Sequence, residues 1–256
     1  MKKIFKIIVQ IYLKLLTRFV LFRHKPFVIA VAGTTNKTFV KETILDELGR
    51  DANVRGNPKS FNTEIGLPLA VLFLPSGFAS IFRWVDVLLT GTCVSIFSRT
   101  FPKILVLEMG VDRVGDMKYL LSLVKPKIAI VTDVKRNFPG QETTLDEIAN
   151  EFALLAKEIP ANGMLILNGD DVRTKNLEKV TTAKTVLFGE NKNLDTVISE
   201  VKESDAGQKF ALEYRGKKDS FSIERHGKHN VHALVIAKIV ADELDRAKVR
   251  KKQNGA

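Results

Sequence analysis

The chain has one cysteine, Cys93, and four histidines in 256 residues. A single thiol cannot close an intramolecular disulfide, which fits a reducing compartment. No His and Cys fall at zinc-ligand spacing, so a zinc-organised fold is excluded. Internal repeats are absent. An uninterrupted membrane span is also missing: a spanning helix needs about 20 mainly apolar residues. The two longest apolar stretches are broken by Lys14 and Arg18 near the start and by Arg83 and Asp86 in residues 79–97. A signal peptide is disfavoured too, because Lys6 and Lys14 cut the apolar run and no small-residue cleavage site follows. What is present is ordinary for a globular protein, with 45% hydrophobic and 27% charged residues. The length allows one large domain, or one and a half smaller ones, around a sizeable core.

Acidic residues are missing from one place in particular. Residues 1–25 hold seven Lys and Arg and no Asp or Glu, and residues 246–252 hold five more basic residues. These two ends account for the net charge of +11, and the body between them is close to neutral. Basic ends on a neutral body argue against a broad nucleic-acid-binding face, and no nucleic-acid partner is expected. In the first segment Lys3, Lys6, Gln10, Lys14, Thr17 and Arg18 recur at steps that form one helical stripe. Ile4, Ile7, Ile8, Ile11, Tyr12, Leu15, Phe19 and Phe22 fill the opposite side. The expectation is a basic amphipathic helix over 1–25 lying on an anionic membrane surface. A helix packed on the domain or on a partner stays open beside it. That reading places the protein in the cytoplasm, peripheral on the inner face of the cytoplasmic membrane.

The body alternates strand and helix signals. Residues 28–42, VIAVAGTTNKTFVKE, read as a buried strand, a Gly/Thr/Asn turn and a helix opening on Lys-Thr. This is the layout of a phosphate-binding loop: backbone N–H groups of Gly33, Thr34, Thr35 and Asn36 turn inward, Lys37 reaches phosphates and the Thr38 hydroxyl can ligate Mg²⁺. Asn36 stands where such loops carry Gly; Asn tolerates left-handed backbone angles better than other non-glycine residues. A plain polar turn of an α/β domain is the competing reading. Further strands are expected at 104–107, 127–132, 164–167 and 185–188, with helices between them, giving a parallel sheet covered by helices. Short strands at 197–201, 209–214 and 220–223 suggest a small antiparallel flap. A helix from His229 to about Leu244 closes the fold, and residues 246–256 form a basic, disordered tail. The fold class is therefore α/β: a P-loop NTPase-like, mostly parallel sheet flanked by helices, with an antiparallel flap and an N-terminal amphipathic helix.

Ligands of open parallel sheets sit at the carboxyl ends of the strands. Glu108 ends the run ILVLE and is a candidate Mg²⁺ ligand, directly or through water, against the alternative of a turn cap. Asp133 shares that geometry with a weaker claim. Asp170 and Asp171 follow MLILNG, where helix capping takes precedence over nucleotide contact.

Five segments together resemble the ATP-dependent Mur ligases, in the UDP-N-acetylmuramoyl-tripeptide–D-alanyl-D-alanine ligase branch. They are GTTNKTFVKE (33–42), FNTEIGLPLAVL (61–72), ILVLEMGVDRVGDMKYLLSLVKPKIAIVTDV (104–134), MLILNGDD (164–171) and GKHNVHAL (227–234). The resemblance covers the central ATP-binding domain, expected over 26–245. Neither the family's UDP-sugar-binding domain nor its C-terminal ligase domain is represented, so a separate ligase domain is an expected partner. The resemblance implies ATP and Mg²⁺ as cofactors, a UDP-muramoyl peptide and D-alanyl-D-alanine as substrates, and amide formation through an acyl phosphate. It implies catalytic roles for Lys37 and Glu108, cation ligation by Thr38 and Glu108, and nucleotide contacts from Gly33 to Thr38 and from Asn62, Asp171, His229 and Asn230.

The departures from the family pattern also carry meaning. A metal-binding His of the family falls on Phe138 here, its modified Lys on Phe152, and the second Asn of its H-N-x-x-N pattern on Ala233. Phe offers a cation no lone pair. Amide synthesis by this chain alone is therefore expected to be impaired. Two other readings remain: a non-catalytic, membrane-associated nucleotide-binding or scaffolding module, and a polyglutamate-type amide ligase.

Overall fold

The computed structural model describes residues 3–49, 53–135 and 143–254. The helices are α1 (Lys3–His24), α2 (Lys37–Leu48), α3 (Gly66–Val71), α4 (Ile81–Phe97), α5 (Asp116–Leu123), α6 (Leu145–Glu158), α7 (Val172–Lys175) and α8 (Lys228–Asn254). The strands are β1 (Phe27–Ala32), β2 (Val54–Gly56), β3 (Ile104–Glu108), β4 (Ile128–Val131), β5 (Met164–Asn168), β6 (Lys184–Gly189), β7 (Thr196–Ser204), β8 (Gly207–Tyr214) and β9 (Lys217–Ile223).

The nine strands of the described residues form one sheet in the order β2-β3-β1-β4-β5-β6-β7-β8-β9. Pairing is parallel from β2 through β7, and β7, β8 and β9 form an antiparallel meander at one edge. The α/β class, the parallel sheet and the flap are as the sequence implies. Strand β2 is not foreseen: three residues that include Arg55 and Gly56 are too short to show alternation.

β1 lies near the middle and is buried on both faces, hence its uninterrupted apolar run. Val28, Ala30 and Ala32 pack with Leu105, Leu107 and the inner sides of α3, α5 and α6. Ile29 and Val31 face the other way, against Val40 and Ile44 of α2 and Val235 and Ile239 of α8. Each fully buried aliphatic side chain contributes about 1.5–3 kcal/mol. The sheet thus holds the carboxyl ends of β1, β3, β4 and β5 side by side, with Val31 opposite Glu108 and Ala32 opposite Val131.

A third cluster joins α1, α3 and α4. Val9, Leu13 and Val20 of α1 are buried against Leu69, Leu72, Trp84 and Val87. Helix α1 is therefore seated on the domain by a narrow apolar stripe that runs along its polar side. Thr17 of the polar stripe is wholly buried, Lys6 pairs with Glu64 at 2.7 Å, and Lys14 donates to Ser122 at 2.7 Å. The broad apolar side points outward. No helix of the described residues is long and apolar enough to cross a membrane.

The closing helix departs from expectation. It runs past Leu244 to Asn254, where the sequence suggests a disordered tail. Its last stretch consists mostly of Ala, Lys, Arg and Gln, which are strong helix formers, and contains no Gly or Pro before Gly255.

Candidate nucleotide and cation site

β1 ends at Ala32 and the chain turns over the end of β4. Gly33 adopts φ 122°, and a Cβ there would lie 2.0 Å from the Thr132 hydroxyl oxygen, so only glycine fits. Asn36 sits at φ 60°, ψ 6° at the N-cap of α2, in the left-handed region, and its carbonyl accepts the Val40 N–H at 2.9 Å. The turn thus survives with Asn in the glycine place.

Asp133 fastens this turn. Its carboxylate accepts from the Thr34 N–H (3.1 Å), the Thr34 hydroxyl (2.6 Å), the Thr35 N–H (2.8 Å) and the Thr35 hydroxyl. Thr132 donates to the Thr35 carbonyl at 2.7 Å, closing the grip. Burial alone raises the Asp133 pKa, but the Thr34 and Thr35 donors outweigh it and hold the carboxyl below its ordinary value. Sequence reasoning gave Asp133 a weak claim as a ligand; its role here is to shape the loop.

Lys37 opens α2, and its Nζ donates to the Thr34 carbonyl at 3.0 Å. Burial lowers its pKa, against the opposing pull of Glu108, Asp133 and Asp112. One helical position on, Thr38 donates its hydroxyl to Glu108 Oε2 at 2.7 Å, and Asn62 donates to Glu108 Oε1 at 2.7 Å. Asn62 and Glu108, far from Lys37 and Thr38 in sequence, are therefore their neighbours in the fold. The backbone of Glu108 is held by Asn57, whose Oδ1 accepts from Glu108 N at 2.8 Å and whose Nδ2 donates to Glu108 O at 3.1 Å. Lys41, wholly buried, donates to the Asn57 carbonyl. Asn57 and Lys41 went unnoticed in the sequence, since nothing local marks a side chain that pairs with a distant backbone.

The Thr38 hydroxyl and the Glu108 carboxylate are hard oxygen donors of the kind Mg²⁺ takes. Among the described residues no group of three or more His, Cys, Asp and Glu is placed to hold a metal ion. A cation here would rest on one or two protein oxygens plus water or phosphate, which is how Mg²⁺ is commonly bound.

Beside the loop, at the ends of β4, β5 and β6, lies a cavity of about 860 Å³ lined by Asn36, Asp133, Asp171, Phe188, His229 and His232 among others. That volume suits a nucleotide-sized ligand. Asp171 caps α7, accepting from Arg173 N (2.8 Å) and Thr174 N (3.2 Å), while its other oxygen accepts from Val134 N (3.2 Å). Capping is thus its observed work, at the rim of the cavity. His229 lines the cavity and meets Phe39 edge-on at 5.7 Å. Asn230 is buried and turned away, donating to the His226 carbonyl, and does not line the cavity. Its place is taken by His232, absent from the sequence-level candidates. That ring stands edge-on to Phe188 at 5.3 Å, and its Nε2 has no hydrogen-bond partner among the described residues. Burial, with Lys228 and Lys135 nearby, lowers its pKa to about 4 against the pull of Asp170 and Glu190, so the ring is neutral at pH 7.

Of the positions that depart from the family pattern, Phe138 lies outside the described residues. Phe152 is 1% exposed and packs in the core beneath α6, and Ala233 is buried on α8. Next to Phe152, the Glu151 carboxylate accepts from Gly115 N (2.9 Å) and Met117 N (2.8 Å), holding the start of α5.

A family model described as the Mur ligase middle domain matches residues 92–241. A UDP-N-acetylmuramoyl-tripeptide–D-alanyl-D-alanine ligase from Bacillus subtilis is 28% identical over 204 residues, covering 80% of this chain and 38% of the relative. The crystal structure of MurF from Acinetobacter baumannii superposes with a TM-score of 0.74 at 20% identity, over 92% of this chain and 47% of that one. The MurF ligase of Thermotoga maritima, solved in complex with ADP, gives 0.72 at 21% identity, over 93% and 49%. The chain thus spans about two fifths of that Bacillus relative and about half of those structures.

Proposed function

The chain belongs to the Mur ligase family, and on that premise we propose that it binds ATP with Mg²⁺ at residues 33–38 and serves ATP-dependent amide-bond formation on a peptidoglycan precursor. The observation that carries this reading is the meeting of Lys37, Thr38 and Glu108 beside a nucleotide-sized cavity at the carboxyl ends of parallel strands.

Each residue has a physical part. The amino end of α2 favours phosphate charge, whereas the Thr34 and Thr35 N–H groups are already given to Asp133. Lys37, half-buried against a carbonyl, exchanges that neutral partner for an anionic phosphate. Thr38 already directs its proton to Glu108, which leaves hydroxyl lone pairs free for a cation. Asn62 and Asn57 fix the Glu108 carboxylate and backbone. Mg²⁺, when bound, neutralises phosphate oxygens during phosphoryl transfer. The neutral His232 ring, edge-on to Phe188, offers the base an apolar corner of the cavity wall, with His229 nearby.

In this reaction the γ-phosphoryl group passes from ATP to a carboxylate of a UDP-muramoyl peptide, releasing ADP. The amine of D-alanyl-D-alanine attacks the acyl phosphate and expels phosphate. The relatives extend well beyond the matched region, so a separately supplied ligase domain belongs to the proposal. Phe152 favours a second reading. A core phenylalanine cannot help place a cation, which points to weak turnover by a nucleotide-binding module.

The test is calorimetric titration with ATP, with and without Mg²⁺. Mg²⁺-dependent binding that is lost in Lys37→Ala supports the proposal, and no binding at millimolar ATP overturns it. Turnover with the two substrates and an added ligase domain then separates ligase from binding module.

A further inference from the structure

Apolar exposure is concentrated on one part of this molecule. Of nineteen exposed large hydrophobic side chains among the described residues, fifteen belong to α1 or to residues 78–97. Phe22 is 75% exposed, Phe82 88% and Phe97 73%. α1 and α4 lie side by side, joined by a Tyr12–Thr92 hydrogen bond of 2.7 Å and by Arg23, which donates to the Ser95 and Ile96 carbonyls at 3.2 and 2.6 Å. The buried stripe of Val9, Leu13 and Val20 fixes the rotation of α1, so its broad apolar side cannot turn inward. Soluble monomers rarely leave so much contiguous apolar surface uncovered.

We propose that α1 and α4 together form a preformed docking face for an anionic lipid bilayer surface. The face would hold the domain at the membrane without crossing it.

Charge selects this occupant. Residues 1–25 and 78–103 contain ten Lys and Arg and a single acid, Asp86, whereas the rest of the chain is nearly balanced. Arg18 and Arg83 are exposed beside the apolar residues, and Lys25 Nζ lies 5.9 Å from the Phe22 ring centre. Basic side chains rimming an apolar helix face are the signature of interfacial binding to anionic lipid. A second copy of the chain would set cations against cations. α1 is interrupted by Lys14 and Arg18, and α4 has 17 residues with Arg83 and Asp86 among them, so neither spans and the face lies in the interfacial plane. The nucleotide reading is not needed for this inference.

The test is co-sedimentation of the full chain with vesicles of phosphatidylcholine, alone or mixed with phosphatidylglycerol. Binding should require the anionic lipid and weaken as salt is raised. Phe82→Ser with Phe97→Ser, on α4 alone, should lower vesicle partition by about tenfold or more, since each buried Phe contributes more than that factor. Both side chains are exposed, so the melting temperature should not fall; Leu89→Gln provides a second, milder variant on the same helix. Unchanged partition in the α4 variants would overturn the two-helix face. Equal binding to phosphatidylcholine alone would overturn the anionic selection. No sedimentation, with light scattering showing a dimer, would assign the face to a second copy.

Discussion

Thr38 donates its hydroxyl to Glu108 across 2.7 Å, tying the first turn of α2 to the end of β3. The pair sits where β1 and β3 run parallel in register, and Asn62 occupies the other carboxylate oxygen. Glu108→Gln tests whether its charge matters. The amide keeps the shape, and Asn62 can rotate to offer its oxygen to the new NH₂, so stability should change by no more than about 1 kcal/mol. The affinity gained by adding Mg²⁺ to ATP should fall by at least about tenfold, because the site loses the carboxylate charge placed beside the Thr38 hydroxyl. Calorimetry with and without Mg²⁺ reads this; an unchanged Mg²⁺ dependence would remove Glu108 from the cation site.

The turn offers a contrast between two positions. Gly33 at φ 122° has no room for a Cβ against Thr132, so Gly33→Ala should cost about 3 kcal/mol or more from strain and overlap. Asn36 at φ 60° is exposed and already left-handed. Asn36→Gly should stay within about 1 kcal/mol, as relieved backbone strain offsets the greater freedom of the unfolded chain. Asn36→Val, β-branched at positive φ, should lose about 1–2 kcal/mol. Urea denaturation of the three variants gives the order; equal costs at Gly33 and Asn36 would contradict the geometry.

The sequence shows the sheet because each central strand is buried on both faces and reads as an unbroken apolar run followed by a helix. It shows the loop because Gly33, Lys37 and Thr38 lie within one turn of chain. It does not show Asn57 or the fastening role of Asp133, since both act on backbone groups brought near only by folding. The direction of α1 is hidden for another reason. Periodicity reveals two sides of a helix, but here the packed side is a thin line of Val9, Leu13 and Val20 among polar residues, and the richer apolar side is left outside. His232 is hidden by its neighbour: the His-Asn pair at 229–230 draws the eye, while the ring two positions on reaches the cavity.

Asn57 provides a test of the buried support. Its side chain serves Glu108 N, Glu108 O and the Phe61 carbonyl, at 2.8, 3.1 and 2.9 Å. Asn57→Ala strands a buried N–H and two carbonyls, and should cost about 2–4 kcal/mol. Lys41 still reaches the residue 57 carbonyl in this variant, so the loss belongs to the side chain alone. Chemical denaturation measures the cost; a loss below about 1 kcal/mol would mean that water replaces these bonds easily.

His232 makes stability depend on pH in a defined window. Burial, aided by Lys228 and Lys135, lowers its pKa to about 4 from 6.5. Above pH 6.5 the ring is neutral in both folded and unfolded chains and contributes no slope. As pH falls below 6.5 the unfolded chain takes up a proton that the folded ring refuses, so stability drops, and the loss levels off below pH 4. The full effect is about 3 kcal/mol at 1.36 kcal/mol per pKa unit. His232→Gln removes the titration and keeps a polar side chain of similar reach in the cavity. The acid limb of its stability curve between pH 6.5 and 4 should be shallower than that of the parent, with carboxylate titration common to both. Denaturation midpoints across that range decide the matter: parallel curves would mean that the cavity admits enough water to solvate the charged ring, and with it any base bound against Phe188 would lose its apolar corner.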